Sequence, residues 1–307
     1  MRNPILKVEN LGHTYAKVPA VSAVSFSVHG PGVVGLLGAN GAGKSTILNA
    51  ISGVLNPTEG DVIIDGYSIR RSPLVAKAKI GFLPQHVPVY PELTVDEYLT
   101  YCAQLRGVER RHIPDAVQNA KVKCGIGHFS RRLIGALSGG YQQRCGMAQA
   151  ILHEPSIVVF DEPTNGLDPL QVSVVRNLIR EIASERTVLI STHILTEVEA
   201  LCAHIRMIDQ GALVFDGSID EFLSSVNEES IVVAFSKRLD IECLQKMAAV
   251  RLVKRHFDDR FILESEDVNA TSRAIISYCG DNDVAITEFG RARRSLDEAF
   301  QSMTSKA

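Results

Sequence analysis

The stretch Val33-Val34-Gly35-Leu36-Leu37-Gly38-Ala39-Asn40-Gly41-Ala42-Gly43-Lys44-Ser45-Thr46 decides how this chain folds. Val33 to Leu37 run on without a polar residue, as in a strand covered on both faces inside a central sheet. Gly38 to Thr46 then match GxxxxGK[ST], a Gly-rich turn feeding a helix that begins near Lys44. The glycines let backbone N–H groups turn inward and approach phosphate oxygens, and the helix N-terminus adds partial positive charge. Lys44 is placed to reach the β- and γ-phosphates of a nucleotide, and the Ser45 hydroxyl to bind Mg²⁺. Gly38, Asn40, Gly41, Ala42, Gly43, Lys44, Ser45 and Thr46 are therefore the expected phosphate-binding residues.

Working outward, strand-like alternation marks residues 5–8 and 23–28 before this stretch, and 61–64 and 79–83 after it. Residues 95–154 read mainly as helix, with Tyr98, Tyr101, Cys102 and Leu105 on one face. A second alternating set follows: strand 156–160, helix 170–183, strand 187–191, helix 194–203, and strand pieces over 204–215. Strands alternating with helices predict an α/β sheet with crossovers, interrupted by a helical insert at about 86–155.

Beyond about residue 220 the texture changes. Ser224 to Ser230 is polar and reads as a linker. After it come strand 231–235, helix 240–248, strands 250–256 and 260–265, helix 268–279, strand 284–289 and a final helix 295–304. That βαββαβ order predicts a small ferredoxin-like domain with an extra terminal helix. The expected domains are thus 1–223 and 224–307.

A nucleotide site built on Lys44 needs carboxylates opposite the phosphates. Ile157-Val158-Val159-Phe160-Asp161-Glu162 supplies them at the end of an apolar strand. Asp161 would sit in the outer shell of the magnesium and Glu162 would polarise attacking water; in isolation, the same pair also reads as a solvated turn.

Composition excludes other classes. With 32 Lys+Arg against 35 Asp+Glu, the net charge of −3 lacks the basic footprint of a nucleic-acid binder. No apolar run approaches the roughly 18–20 residues needed to cross a bilayer, and the N-terminus lacks a signal-peptide core, so a cytosolic chain is expected. Six scattered cysteines without CxxC spacing read as free thiols in a reducing compartment.

Leu137-Ser138-Gly139-Gly140-Tyr141-Gln142-Gln143-Arg144 narrows the choice among nucleotidases. It resembles the signature motif of ABC ATPase domains. Further matches follow that family's order: Tyr15 (A-loop), Gln85 in Gly81-Phe82-Leu83-Pro84-Gln85 (Q-loop), Gly166-Leu167-Asp168 (D-loop) and His193 in Ser191-Thr192-His193 (switch histidine). The resemblance covers residues 1 to about 220. It implies a P-loop ABC ATPase fold, with a RecA-like core sheet, an antiparallel β subdomain and a helical insert, beside the small C-terminal α+β ferredoxin-like domain.

The resemblance also implies roles. ATP and Mg²⁺ would be the cofactors, with Ser45, Gln85 and Asp161 toward the metal. Glu162, His193, Lys44 and Gln85 would carry hydrolysis, while Tyr15 stacks on adenine unless it is a buried core tyrosine. Ser138, Gly139, Gly140 and Asp168 would complete the ATP site of a second subunit, so that ATP is sandwiched head to tail. Expected partners are transmembrane permease subunits and a second copy of the chain or a homologous ATPase subunit, with no nucleic acid. The expected location is peripheral, on the cytoplasmic face of the inner or plasma membrane.

Phe82-Leu83-Pro84-Gln85 through Tyr90-Pro91-Glu92-Leu93-Thr94-Val95, with Tyr98-Leu99, resembles the ATPases of drug, sodium, bacteriocin-immunity and gliding-associated exporters. Arg294-Ser295-Leu296-Asp297-Glu298-Ala299-Phe300 resembles the C-terminal ending of the same subunits. Export is therefore expected, the alternatives being an importer ATPase with a C-terminal regulatory domain, or a soluble ABC ATPase. Tyr90, Leu93 and Tyr98 are candidate contacts for a membrane partner's coupling helix. Leu296, Ala299 and Phe300 form an apolar stripe that either packs within its own domain or tethers two subunits. The Arg291–Arg294 cluster reads as a solvated face or as a lipid-head-group contact.

Overall fold

The computed structural model describes residues 3–226, 230–237, 239–257, 259–291 and 300. The chain divides into two compact units, Met1–Ile219 and Asp220–Ala307.

The first unit opens with β1 (Leu6–Tyr15) and β2 (Val18–Val28), then β3 (Gly32–Leu37), the loop of Gly38 to Gly43, and α1 (Lys44–Ile51). Next come β4 (Glu59–Ile64), β5 (Tyr67–Ser68), α2 (Pro73–Ala78) and β6 (Ile80–Leu83). β2, β1, β4 and β5 form a four-stranded antiparallel sheet. The alternation of β1 turns Leu6 and Val8 into the core, where they meet Ile47, Leu48 and Ile51 of α1.

The helical insert lies between β6 and β7 (Ile157–Asp161) and holds α3 (Val95–Leu105), α4 (Ile113–Lys123) and α5 (Gly139–Ile151). Thr94 and Glu97 form a reciprocal capping box that fixes the start of α3. The buried Lys121 of α4 reaches back to Asp96 at 2.5 Å and to Ser130 at 2.9 Å, which ties α4 to α3. The buried residues of α3 are Val95, Tyr98, Leu99 and Ala103; of the face read from Tyr98, Tyr101, Cys102 and Leu105, Tyr98 is buried and Cys102 half-buried. Tyr101 and Leu105 are exposed, because Val95 and Leu99 carry the i, i+4 stripe that meets the rest of the insert.

α6 (Pro169–Glu185), β8 (Thr187–Thr192), α7 (Leu195–Leu201), β9 (His204–Asp209) and β10 (Ala212–Ser218) complete the unit. The central sheet runs β10-β9-β3-β8-β7-β6. All of its pairs are parallel except β9 with β10. Every residue of β7 and β8 is buried, as a strand covered on both faces requires.

Helix α8 (Ile219–Val226) occupies part of the stretch read as a linker. Ile219, Phe222, Leu223 and Val226 recur at helical spacing, and Phe222 is fully buried. The second unit contains β11 (Ser230–Phe235), α9 (Ile241–Gln245), β12 (Val250–Phe257), β13 (Arg260–Ser265), α10 (Val268–Asn282) and β14 (Ile286–Arg291). Its sheet runs β12-β13-β11-β14 and is antiparallel throughout, the split βαβ arrangement expected of a ferredoxin-like fold. Ile231, Val233, Phe235, Phe261 and Leu263 form its core with Ile275 of α10. The predicted final helix and its stripe of Leu296 and Ala299, and Arg293 and Arg294 of the basic cluster, lie outside the described residues; Phe300 is described and helical.

Candidate nucleotide-binding site

Four neighbouring parallel strands end on one side of the central sheet, and each places a predicted site residue just beyond its last residue. The register pairs Leu37 of β3 with Thr192 of β8, Ser191 of β8 with Asp161 of β7, and Phe160 of β7 with Leu83 of β6. The phosphate loop, His193, Glu162 and Gln85 therefore share one edge, the position where open α/β sheets bind ligands.

These residues line a cleft of about 350 Å³: Asn40, Gly41, Gly43, Lys44, Ser45 and Thr46 from the loop, Gln85, Glu162 and His193 from the other strand ends, with Ala20 and Asn165. Gly43 precedes α1 with φ 106°, a conformation that a β-carbon strains. A Cβ there would also stand 2.8 Å from the Ala20 carbonyl oxygen. Glycine at this position lets the loop close against β2.

The Lys44 side chain is buried, and its Nζ donates to the carbonyls of Gly38 at 2.8 Å and Ala39 at 2.9 Å. Burial lowers its pKa, and the nearby Glu162 and Asp161 carboxylates oppose that shift. Asp161 is itself buried and accepts a hydrogen bond from Ser191 Oγ.

Glu162 adopts a left-handed backbone with φ 49°, which costs a non-glycine residue roughly 1–3 kcal/mol. Its N–H donates to both the carbonyl and the Oγ of Ser191, each at 3.1 Å. The kink aims the carboxyl group at His193, whose Nδ1 lies 2.8 Å from Glu162 Oε1. The pair faces the loop across the cleft.

Other predicted residues stand outside the cleft wall. Tyr15 is 47% exposed at the end of β1, edge-on to His13 at 4.4 Å, so it is no core tyrosine. Ser138 and Gly139 are exposed at the N-terminus of α5, and Asp168 is exposed as the N-cap of α6, accepting from the Gln171 N–H at 3.0 Å. Gln171 joins these two surface elements: its Oε1 accepts from Arg144 at 3.3 Å, and a Cβ on Gly140 would lie 2.7 Å from it. Arg144 also stacks over Tyr141 at 4.1 Å. Tyr98 is buried and donates to the Pro88 carbonyl at 2.9 Å, so it is not available as a partner contact. Tyr90 and Tyr101 are exposed beside each other, with ring centroids 5.9 Å apart.

The sequence reading missed the supports behind these groups. Gln143 donates to the Pro163 carbonyl at 2.8 Å, and the buried Glu197 accepts from Thr164 and Thr192. The usable signal for Glu197 was its place on α7, four residues after His193.

Comparison with known proteins agrees with this geometry. A family profile described as "ABC transporter" matches residues 21–165, and one described as "AAA domain, putative AbiEii toxin, Type IV TA system" matches residues 133–199. The chain is 30% identical to the uncharacterized ABC transporter ATP-binding protein YxlF of Bacillus subtilis, over 96% of this chain and 98% of that one. It is 33% identical to the bacitracin transport ATP-binding protein BcrA of Bacillus licheniformis, over 83% and 80% of the two chains. Among solved structures it resembles an ATP-binding subunit of an ABC transporter, with a TM-score of 0.66 and 28% identity over 72% of this chain and 92% of that one. The phosphate loop facing a Glu–His pair across one sheet edge, together with relatives aligned over nearly the whole chain, shows that this protein belongs to the ABC transporter family as an ATP-binding, ATP-hydrolysing subunit.

Proposed function

We propose that ATP binds with its β- and γ-phosphates in the loop of Gly38 to Thr46, and that Glu162 and His193 carry out hydrolysis on the far side of the terminal phosphate. The observation that carries this reading is the 2.8 Å contact between His193 Nδ1 and Glu162 Oε1 in the cleft that also holds Lys44. Phosphate oxygens are stronger acceptors than the Gly38 and Ala39 carbonyls that Lys44 now contacts, so the ammonium would turn to them. Glu162 would orient the attacking water, and the His193 imidazole would hold Glu162 and meet the charge developing on the phosphoryl group.

Ser45, Gln85 and Asp161 offer a hydroxyl, an amide and a carboxyl group, the hard oxygen donors that suit Mg²⁺. When bound, Mg²⁺ supplies charge neutralisation for the phosphates. Among the described residues no cluster of His, Cys, Asp and Glu offers a rival metal site.

Ser138, Gly139 and Asp168 are exposed at the N-termini of α5 and α6, with Gly140 buried behind them, and the reading assigns all four to the ATP of a second copy of the chain or of a homologous subunit. ATP would then be held between two subunits, and closure would depend on the γ-phosphate. No helix among the described residues is long and apolar enough to span a membrane, and the reading assigns the membrane path to separate permease subunits. The exposed Tyr90 and Tyr101 are the proposed aromatic anchors for them, at the cytoplasmic face of the membrane. The BcrA relative, named for bacitracin transport, favours export. Residues 1–223 are assigned to the ATPase and 224–307 to an accessory domain.

Steady-state turnover and nucleotide binding of Glu162→Gln and His193→Ala test this reading. Both variants should bind ATP and hydrolyse it at least about a hundredfold more slowly. Near-normal turnover by either would remove its assigned role.

A further inference from the structure

Glu197 occupies an unusual place for a carboxyl group. It is 2% exposed, and among the described residues no cationic side chain pairs with it. Its Oε1 accepts a hydrogen bond from Thr164 Oγ1 and its Oε2 accepts from Thr192 Oγ1 at 3.0 Å. Thr164 and Thr192 are 3% and 1% exposed, so neither hydroxyl has water to turn to.

The two threonines sit at telling positions. Thr164 lies two residues after Glu162, in the turn that follows β7, and its carbonyl accepts from the Leu167 N–H at 3.2 Å. Thr192 is the last residue of β8, directly before His193, and its Oγ1 accepts from the Ile194 N–H at 3.0 Å. One carboxyl group thus bonds both turns that carry the Glu162–His193 contact. Glu162 holds a left-handed backbone, which persists only where its surroundings over-determine it. Ser191 holds that kink from the strand side and Gln143 holds it through Pro163. The Glu197 bridge joins the turn after β7 to Thr192, the residue directly before His193.

We propose that Glu197 is a positioning residue for ATP hydrolysis: by bridging Thr164 to Thr192 it sets the distance and angle between Glu162 and His193. This rests on the assignment of Glu162 and His193 to the chemical step. Glu197 touches neither nucleotide nor water in this role. Its removal therefore relaxes the geometry of the reacting groups and leaves the phosphate loop, on the other wall of the cleft, able to bind ATP.

The test measures kcat and KM for ATP, and Kd for a fluorescent ATP analogue, on full-length Glu197→Ala, Glu197→Gln and Glu162→Gln chains. A displacement of about 1 Å in catalytic groups costs up to about a hundredfold, so Glu197→Ala should lower kcat by about tenfold or more with KM and Kd within about threefold of wild type. Glu197→Gln should recover most of that loss, because its amide oxygen accepts from Thr192 while its NH₂ donates to Thr164. If Glu197→Ala does not fold, Thr164→Val and Thr192→Val preserve volume while deleting the donors, and should show the same split between kcat and Kd. Turnover of Glu197→Ala within about twofold of wild type, beside an inactive Glu162→Gln, overturns the proposal alone; so does loss of nucleotide binding in step with kcat. Near-normal turnover by Glu162→Gln overturns the assignment beneath it.

Discussion

The carboxyl group of Glu162 and the imidazole of His193 meet at 2.8 Å although 31 residues separate them in the chain. The parallel register of β7 and β8 creates this meeting, since Asp161 pairs with Ser191 and Glu162 and His193 each follow within two residues. Because the two groups form one unit, their removal should not be additive. The Glu162→Gln/His193→Ala double variant should lose little more activity than the worse single variant. Steady-state ATPase assays on the four chains of the cycle check this; independent losses that multiply would show that the two groups act separately.

Lys44 and Ser138 are assigned to different ATP sites of a subunit pair. Ser138→Arg and Lys44→Ala chains should each be inactive alone. Mixed in equal amounts, they can form pairs with one intact site, and activity should return in the mixture. Wild-type activity of Ser138→Arg alone would contradict the shared site.

Docking of a membrane partner should follow exposure. Cysteines placed at Tyr90 or Tyr101 should crosslink to a multi-span membrane protein in the assembled transporter. A cysteine at Tyr98 should not, because that ring is 1% exposed. Equal yields from all three positions would place the partner elsewhere.

His153 should make stability depend on pH. Burial, reinforced by the nearby Arg106 charge, lowers its pKa from 6.5 to about 4, and its ring bonds the Ile80 carbonyl at 3.1 Å. Between pH 6.5 and pH 4 the unfolded chain takes up a proton at His153 that the folded chain does not. Stability is therefore lost as pH falls through this window, by about 3 kcal/mol at most. Denaturant unfolding at about pH 7 and about pH 4.5 should show a smaller drop for His153→Gln than for wild type.

Gly81 should tolerate no side chain. A Cβ there would lie 1.9 Å from the Ala150 carbonyl oxygen, where β6 meets the C-terminal end of α5. Gly81→Ala should destabilise the chain by about 1–3 kcal/mol or prevent folding. Gly127→Ala, where nothing stands within 4 Å, should be nearly neutral. Thermal unfolding of the two variants decides between them.

The contiguous motifs were legible in the sequence because their chemistry is local. Gly38 to Thr46 carries its strand, turn and helix start within one stretch, and the apolar run Ile157 to Phe160 announces a buried strand ending in two acids. The βαββαβ order of residues 231–289 likewise follows from local periodicity, and the antiparallel β12-β13-β11-β14 sheet matches it. Helix α8 escaped because Ser224 and Ser225 dominated the local composition, whereas the Ile219–Phe222–Leu223–Val226 stripe that forms it has meaning only once a surface covers Phe222. Tyr98 and Tyr101 look alike in sequence, and only packing decides that one is buried and the other exposed.

By itself, the sequence determined which residues can cradle phosphate and which carboxyl groups can face it, since both depend on residue type and short spacing. Only the tertiary structure decided that the Glu162 backbone is left-handed, that His193 reaches its carboxyl group, and that Glu197 holds Thr164 and Thr192 behind them. Those relations join residues up to 33 positions apart. They exist because the parallel strands β7 and β8 end in register and because a buried polar group must find its partner in whatever the fold brings within reach.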